Sequence, residues 1–150
     1  MTTISFTQFR AKHRDHCISG WSRTGCQCTD CIREYLKEVL GCTSNTLDWI
    51  AGGNARDVYA NANTNKFTRV KNGPDNHPPD GAIVVADHTD SQGHDYGHVF
   101  ISLGSTVYVA RGFGQNWTRY RLCEYEYHAH YVDTNWRVIG WLIPRMHFIL

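Results

Sequence analysis

The residues of this chain best suited to chemistry form the run Gln27-Cys28-Thr29-Asp30, placed where a glycine-flanked loop turns into an amphipathic segment. A helix start presents unpaired backbone N–H groups and a partial positive charge, which bias a thiol there toward thiolate. Cys28 is therefore the candidate nucleophile. The plainer alternative is a small apolar residue on a buried helix face. A thiolate nucleophile needs a base within hydrogen-bond reach and a third group that fixes the tautomer of that base. Among nine histidines, His98 is the candidate base, because it opens the run His98-Val99-Phe100-Ile101-Ser102 directly after Tyr96-Gly97. A strand end of that kind can face a helix start. Asn116 follows Gly112-Phe113-Gly114-Gln115, and its side-chain oxygen can accept the second imidazole N–H. Its surroundings suit a turn residue equally well.

The remaining thiols offer rival chemistry. Cys17, Cys26, Cys28 and Cys31, with Cys42 beyond and His13 and His16 before, contain enough ligands for zinc, and Cys28-Thr29-Asp30-Cys31 has the spacing of a metal or redox pair. The spacings are irregular and no second CxxC or HxxxH matches them, so a zinc module ranks second. A thioredoxin-like role lacks its βαβ setting. His94 and His98 are four apart, which is meaningful only on a helix, and Gly93 and Gly97 oppose one there. His94, Asp95, His128 and His130 are expected at the surface.

The elements that must position these groups follow from periodicity. Residues 2–16 read as a short helix. From 27 to 40 the apolar positions Cys28, Ile32, Tyr35, Leu36, Val39 and Leu40 recur at steps of three and four, which predicts a helix stopped by Gly41 and capped by Thr24 or Thr29. Thr46 to Ala62, broken at Gly52-Gly53, reads as a helix pair with Asn54 as a cap. Three prolines and two glycines between Lys71 and Gly81 predict a long loop. Beyond it the pattern is β: Ala82–Ala86, then Val99–Leu103 and Thr106–Ala110 as a hairpin about Gly104-Ser105, then Trp117–Leu122 and Trp136–Ile143. Helices followed by an antiparallel sheet make an α+β fold.

At 150 residues the chain is expected to form one domain, 1–150. Lys+Arg 15 against Asp+Glu 14 leaves no broad basic surface for nucleic acid. No apolar run approaches the length that crosses a bilayer, and Met1–Arg10 lacks the pattern of a secretion signal. Synthesis in a cytosol is expected, with the six cysteines reduced.

Taken in order, Gln27-Cys28-Thr29-Asp30, Gly53-Asn54-Ala55-Arg56-Asp57, Pro78-Pro79-Asp80-Gly81-Ala82-Ile83-Val84-Val85, Tyr96-Gly97-His98-Val99-Phe100-Ile101, Gln115-Asn116-Trp117 and Val138-Ile139-Gly140-Trp141 resemble the landmarks of the CHAP family. The resemblance implies a papain-like fold, with N-terminal helices packed on a C-terminal antiparallel sheet. It also implies cleavage of peptidoglycan, as an N-acetylmuramoyl-L-alanine amidase or a cross-bridge endopeptidase, in the manner of bacteriophage lysins. By that match Cys28 is the nucleophile, His98 the base and Asn116 a member of the polar set behind it. Gln27 would help to bind the oxyanion, and Tyr96 and Trp117 would line the substrate groove. The expected enzyme is a monomer that needs no cofactor and acts at the bacterial cell wall.

Two departures from the family pattern stand out. Many members carry an acid two positions before the asparagine, where this chain has Gly114. The triad must then be closed by Asn116 or by an acid from elsewhere. Several members bind calcium just upstream of the cysteine, whereas Ser19-Gly20-Trp21-Ser22-Arg23-Thr24-Gly25 leaves only Asp30 of such a site. A cation that wants six or more oxygens is not expected there. A non-enzymatic wall-binding module is a further alternative, suggested by Trp21, Trp49, Trp117, Trp136 and Trp141.

Overall fold

A computed structural model describes residues 2–21, 24–42, 54–129, 131–132 and 135–145. The chain runs α1 (Phe6–His13), α2 (Cys28–Glu38), a 3-10 turn (Ala55–Asp57), α3 (Val58–Asn61), then β1 (Phe67–Lys71), β2 (Ile83–His88), β3 (His98–Ser102), β4 (Ala110–Gln115), β5 (Cys123–His128) and β6 (Trp136–Pro144). The strands form one sheet in the order β1-β6-β2-β3-β4-β5, and every neighbouring pair is antiparallel. This is the α+β arrangement expected from the sequence.

Helix α2 carries the predicted stripe: Ile32, Tyr35, Leu36 and Leu40 are buried against Val85, Val99, Ile101 and Phe113 of the sheet. Burial of such a face, at ~25 cal/mol per Å² of apolar surface, is the main force holding a helix to a sheet. Gly41 adopts φ +77° and ends the helix, while the Cys42 N–H closes on the Leu36 carbonyl at 2.9 Å. The start differs from expectation. Gln27, rather than Thr24 or Thr29, is the N-cap, and the Asp30 carboxylate returns to the Gln27 N–H at 2.9 Å. The opposite face of the sheet packs Val84, Ala86, Phe100, Val138 and Trp141 into a second cluster.

Helix α1 is shorter than predicted. Ser5 and Gln8 form a reciprocal capping box with bonds of 2.8 and 3.0 Å, and the chain leaves the helix at Arg14. Asn54 caps the 3-10 turn as expected; the rest of the helix pair predicted over 46–53 lies outside the described residues, as do Trp49 and His130.

The largest corrections fall on β4 and β5. The stretch predicted as a strand over Trp117–Leu122 is the loop between them, with Asn116 and Arg121 at φ +64° and +63°. The carboxylate of Glu124 organises that loop, accepting from the N–H groups of Trp117 and Arg119 at 3.3 and 2.7 Å and from the Thr118 hydroxyl. Residues 106–109, predicted as a strand, are a turn before β4. Strand β1 was not anticipated at all.

Candidate active site

Cys28 is half-buried at the first turn of α2, and His98 is buried at the first position of β3. Both line one open cavity of about 770 Å³, together with Gln27, Tyr96, Asn116 and Trp117. The imidazole of His98 interacts electrostatically with the Cys28 side chain. Its Nε2 faces Glu126 Oε1 at 2.7 Å, which leaves Nδ1 as the nitrogen for sulfur.

Asn116 does not sit behind the imidazole. Its amide donates to Gln27 Oε1 at 3.1 Å, and its Oδ1 accepts from the Arg121 N–H at 2.8 Å. Asn116 lies in the left-handed region at φ +64°, which asparagine tolerates, and both its side-chain bonds go to Gln27 and Arg121 rather than to His98. The partner of the imidazole is instead Glu126 of β5, whose side chain is fully buried. Gly114 explains how. In β4 it lies opposite Glu124, two pairs along from the Gly112–Glu126 pair and on the same face, and a Cβ at 114 would collide with Glu126 Oε2. The space a side chain at 114 would fill holds a carboxylate delivered from the neighbouring strand.

The electrostatics follow from this placement. Burial disfavours the charged imidazole, but the Glu126 carboxylate and the interaction with Cys28 outweigh it, raising His98 to about 10. Burial likewise works to raise Glu126, yet the attraction of His98 and the bonds from His128 and His98 hold it below the usual carboxylate range. His88, at the end of β2 in the same cavity, is shifted down by burial and by the charge of His98.

His128 is a further correction. It is buried, and its Nε2 lies 3.1 Å from the same Glu126 oxygen. The ring of Trp117 covers this group, with centroids 4.6 Å from His98 and 4.8 Å from His128. Tyr96, 54% exposed, stands at the cavity rim.

The loop before Cys28 is held at three points. Gln115, fully buried at the end of β4, accepts from the Ile18 N–H at 2.6 Å and donates to the carbonyls of Ile18 and Gln27 at 3.1 and 2.7 Å. Asp30 accepts from the Trp21 N–H at 3.1 Å as well as from Gln27. Cys17 and Cys26 are joined as a disulfide with Cα atoms 5.2 Å apart, contrary to the expectation of six free thiols. That bond removes two of the ligands on which the zinc reading drew, and His98 engages a third. Closing so short a loop is worth about 2–3 kcal/mol in the chain-entropy account. Reduction of the wild-type protein, or the Cys17→Ser substitution, is accordingly expected to lower unfolding free energy by about that much, measured by urea titration with and without reductant. An unchanged midpoint would contradict this.

Comparison with known proteins bears on the same residues. The family model described as "CHAP domain" matches residues 18–116. This chain belongs to the CHAP family. The match runs from the loop before Cys28, through His98, to Asn116, so the CHAP segment contains Cys28 and His98 but ends before Glu126 and His128. No curated protein matches. Among solved structures, one titled "The crystal structure of Ly7917 with the hydrolyzing product of MDP" superposes with a TM-score of 0.62 at 19% identity, covering 85% of this chain and 55% of that one. A second, "The crystal structure of Ly7917", gives 0.61 at 16% identity, covering 91% and 60%. The CHAP chain thus spans between 55% and 60% of the length of these neighbours, which share its fold.

Glu126 and His128 were missed because β5 reads Cys-Glu-Tyr-Glu-Tyr-His, an alternation whose apolar members Tyr125 and Tyr127 face solvent while the polar ones are buried. The available signal was the pair of glycines in β4, Gly112 and Gly114, two residues apart. Spaced so, they open one face of a strand for a neighbour's side chains.

Proposed function

We propose that this CHAP domain hydrolyses an amide bond of bacterial peptidoglycan with Cys28 as nucleophile, His98 as base and Glu126 as the positioning residue behind the base. The observation that carries the reading is that Cys28 and His98 line one open cavity, with the His98 imidazole backed by the buried Glu126 carboxylate at 2.7 Å. Family membership supports peptidoglycan as substrate, and the neighbour whose title names a hydrolysis product of MDP supports hydrolysis on this fold.

Cys28 passes its proton to His98 and the thiolate attacks the scissile carbonyl carbon. The oxyanion forms beside the N–H groups of Cys28 and Thr29, which open α2 and by helix geometry have no intrahelical acceptor, whereas the Asp30 N–H is taken by the Gln27 carbonyl at 3.0 Å. Gln27 lies next to this position, its Nε2 donating to Thr24 Oγ1 at 3.2 Å and its Oε1 held by Asn116. Asn116 therefore supports the oxyanion side of the site rather than the base. The protonated imidazole then gives its proton to the leaving amine, a thioester remains on Cys28, and water activated by neutral His98 releases the acid. Trp117 shields the imidazole from bulk water, and Tyr96 presents an aromatic face to the groove.

Cleavage at the lactyl–alanine bond or within a cross-bridge uses the same chemistry. Mass spectrometry of fragments from defined peptidoglycan separates them, since a freed lactyl carboxyl marks the amidase and a new cross-bridge amine the endopeptidase. In either case the setting is lysis of a wall by a phage-type enzyme. Release of neither fragment by the wild type would overturn the proposal.

The charge pattern predicts the pH dependence. His98 is raised to about 10, so once it has taken the Cys28 proton the imidazolium of the thiolate–imidazolium pair persists through neutrality for the leaving amine, and kcat/KM is expected to fall as pH rises through about 10. Glu126 is lowered, so the acid side should hold until pH drops below the ordinary carboxylate range. The same signs apply to stability: the His98 contribution is complete below its ordinary value and lost toward pH 10, while that of Glu126 is lost in acid. A pH–rate profile centred on the ordinary histidine value would contradict the pairing.

A further inference from the structure

The proposed reaction leaves His128 without a role, although it is buried against the same carboxylate. One oxygen of Glu126 serves two imidazoles: Oε1 lies 2.7 Å from His98 Nε2 and 3.1 Å from His128 Nε2. The side chains of His98, Glu126 and His128 are 4%, 0% and 5% exposed. The other oxygen, Oε2, is buried without a partner among the described residues and occupies the space left by Gly114. A flexible glutamate in a gap of that kind is not fixed by one hydrogen bond to a ring that must itself be oriented.

His128 is closely packed among aromatic rings. It stacks on Trp136 with centroids 4.0 Å apart and planes 10° from parallel, meets the edge of Trp117 at 4.8 Å, and lies 5.2 Å from Phe100. An ionised carboxylate only accepts, so the His128 nitrogen facing Glu126 carries the proton.

We propose that His128 is a second positioning residue of the catalytic site, which donates Nε2–H to Glu126 Oε1 and thereby locks the carboxylate, and through it the His98 ring, toward Cys28. The proposal rests on the roles given above to Cys28, His98 and Glu126. The line of contacts runs from Trp136 through His128 and Glu126 to His98. When His98 surrenders its proton to the leaving amine, Glu126 is left as a buried anion, and the His128 N–H still satisfies it. The other titratable groups facing this cluster are His88 from β2 and Cys28 and Cys31 from α2, which interact electrostatically with His98, His128 or Glu126. Glu124, on the same strand, is directed into the loop over 117–119.

The test compares wild type, His128→Ala and His128→Gln on purified cell walls across pH, with Cys28→Ala as the control for the underlying reading. Glutamine keeps an N–H donor of similar reach but not the aromatic stack. Loss of one hydrogen bond to a charged group predicts that His128→Ala lowers kcat roughly 10- to 100-fold with little change in KM. Its acid limb should move to higher pH, because Glu126 loses a donor that favours its ionised form. His128→Gln should recover most of the rate and return the acid limb. A folded His128→Ala with wild-type kcat and pH profile overturns the proposal. So does equal loss in both variants with an unmoved acid limb, which would make the ring a packing element only. Wall hydrolysis by Cys28→Ala would instead overturn the nucleophile reading beneath it.

Discussion

Replacing Cys28 by alanine is expected to abolish wall hydrolysis, with a loss on the order of 10⁴-fold or more, while the fold remains intact. Removal of a nucleophile leaves only the residual acceleration supplied by binding and oxyanion contacts. The position tolerates the change: Cys28 is half-buried at the first turn of α2, where the helix is held by Ile32, Leu36 and the Asp30 clamp rather than by the sulfur. Turbidity clearing of purified walls measures the activity, and thermal unfolding reports the fold. Clearing by Cys28→Ala at the wild-type rate would remove sulfur from the mechanism. Cys28→Ser is expected to be nearly as inactive, because His98 is set against a thiol that ionises far more readily than an alcohol.

The second large effect is expected at Glu126. Glu126→Gln preserves shape but replaces the acceptor facing His98 with a group that can turn its N–H toward the ring and impose the wrong tautomer. Changes of this kind at the orienting position of a triad cost about 10²- to 10⁴-fold in kcat. Gly114→Ala tests the same feature from the opposite strand. Its Cβ collides with Glu126 Oε2 and crowds Phe100 Cβ at 2.9 Å, so the carboxylate must leave its place under His98. Activity should fall at least tenfold, with a stability loss of about 1–3 kcal/mol from overpacking. Asn116→Ala, by contrast, releases Gln27 and the loop over 117–121 and should cost less than Glu126→Gln. If Asn116→Ala proved the more damaging of the two, Asn116 rather than Glu126 would be the partner of the base.

The contrast between these two residues shows what was legible in the chain. Helix α2 could be read because its stripe of Ile32, Tyr35, Leu36 and Leu40 packs on the sheet as the 3.6-residue period requires. Strands β2, β3 and β6 were visible as apolar runs because both their faces are covered, one by the helical elements and one by Trp141 and its neighbours. That Cys28 and His98 share one cavity was legible from their places at a helix start and a strand end. Strand β4 was obscured by Gly112 and Gly114, which lower β propensity but make room for what lies across from them. Strand β5 was obscured because its buried face is Glu124, Glu126 and His128, so a rule that sends apolar residues inward assigns it to neither core nor site. Both failures have one cause: a buried polar network was built where pattern reading expects apolar packing. The disulfide was missed for a different reason. Its formation depends on two Cα atoms brought within 5.2 Å by a loop that Gln115 ties down, and sequence spacing does not reveal that.

In the proposed reaction one sulfur performs the chemistry, and its exposure allows it to be singled out by alkylation. Of the four free thiols, Cys31, Cys42 and Cys123 are buried, while Cys28 opens to the cavity. Brief treatment of the native protein with iodoacetamide, followed by peptide mapping and a wall-clearing assay on the same samples, relates labelling to activity. Cys28 is expected to be carboxamidomethylated first, with residual activity falling in proportion to its labelling. Protein fully labelled at Cys28 that still clears walls at the untreated rate would contradict the role of that sulfur.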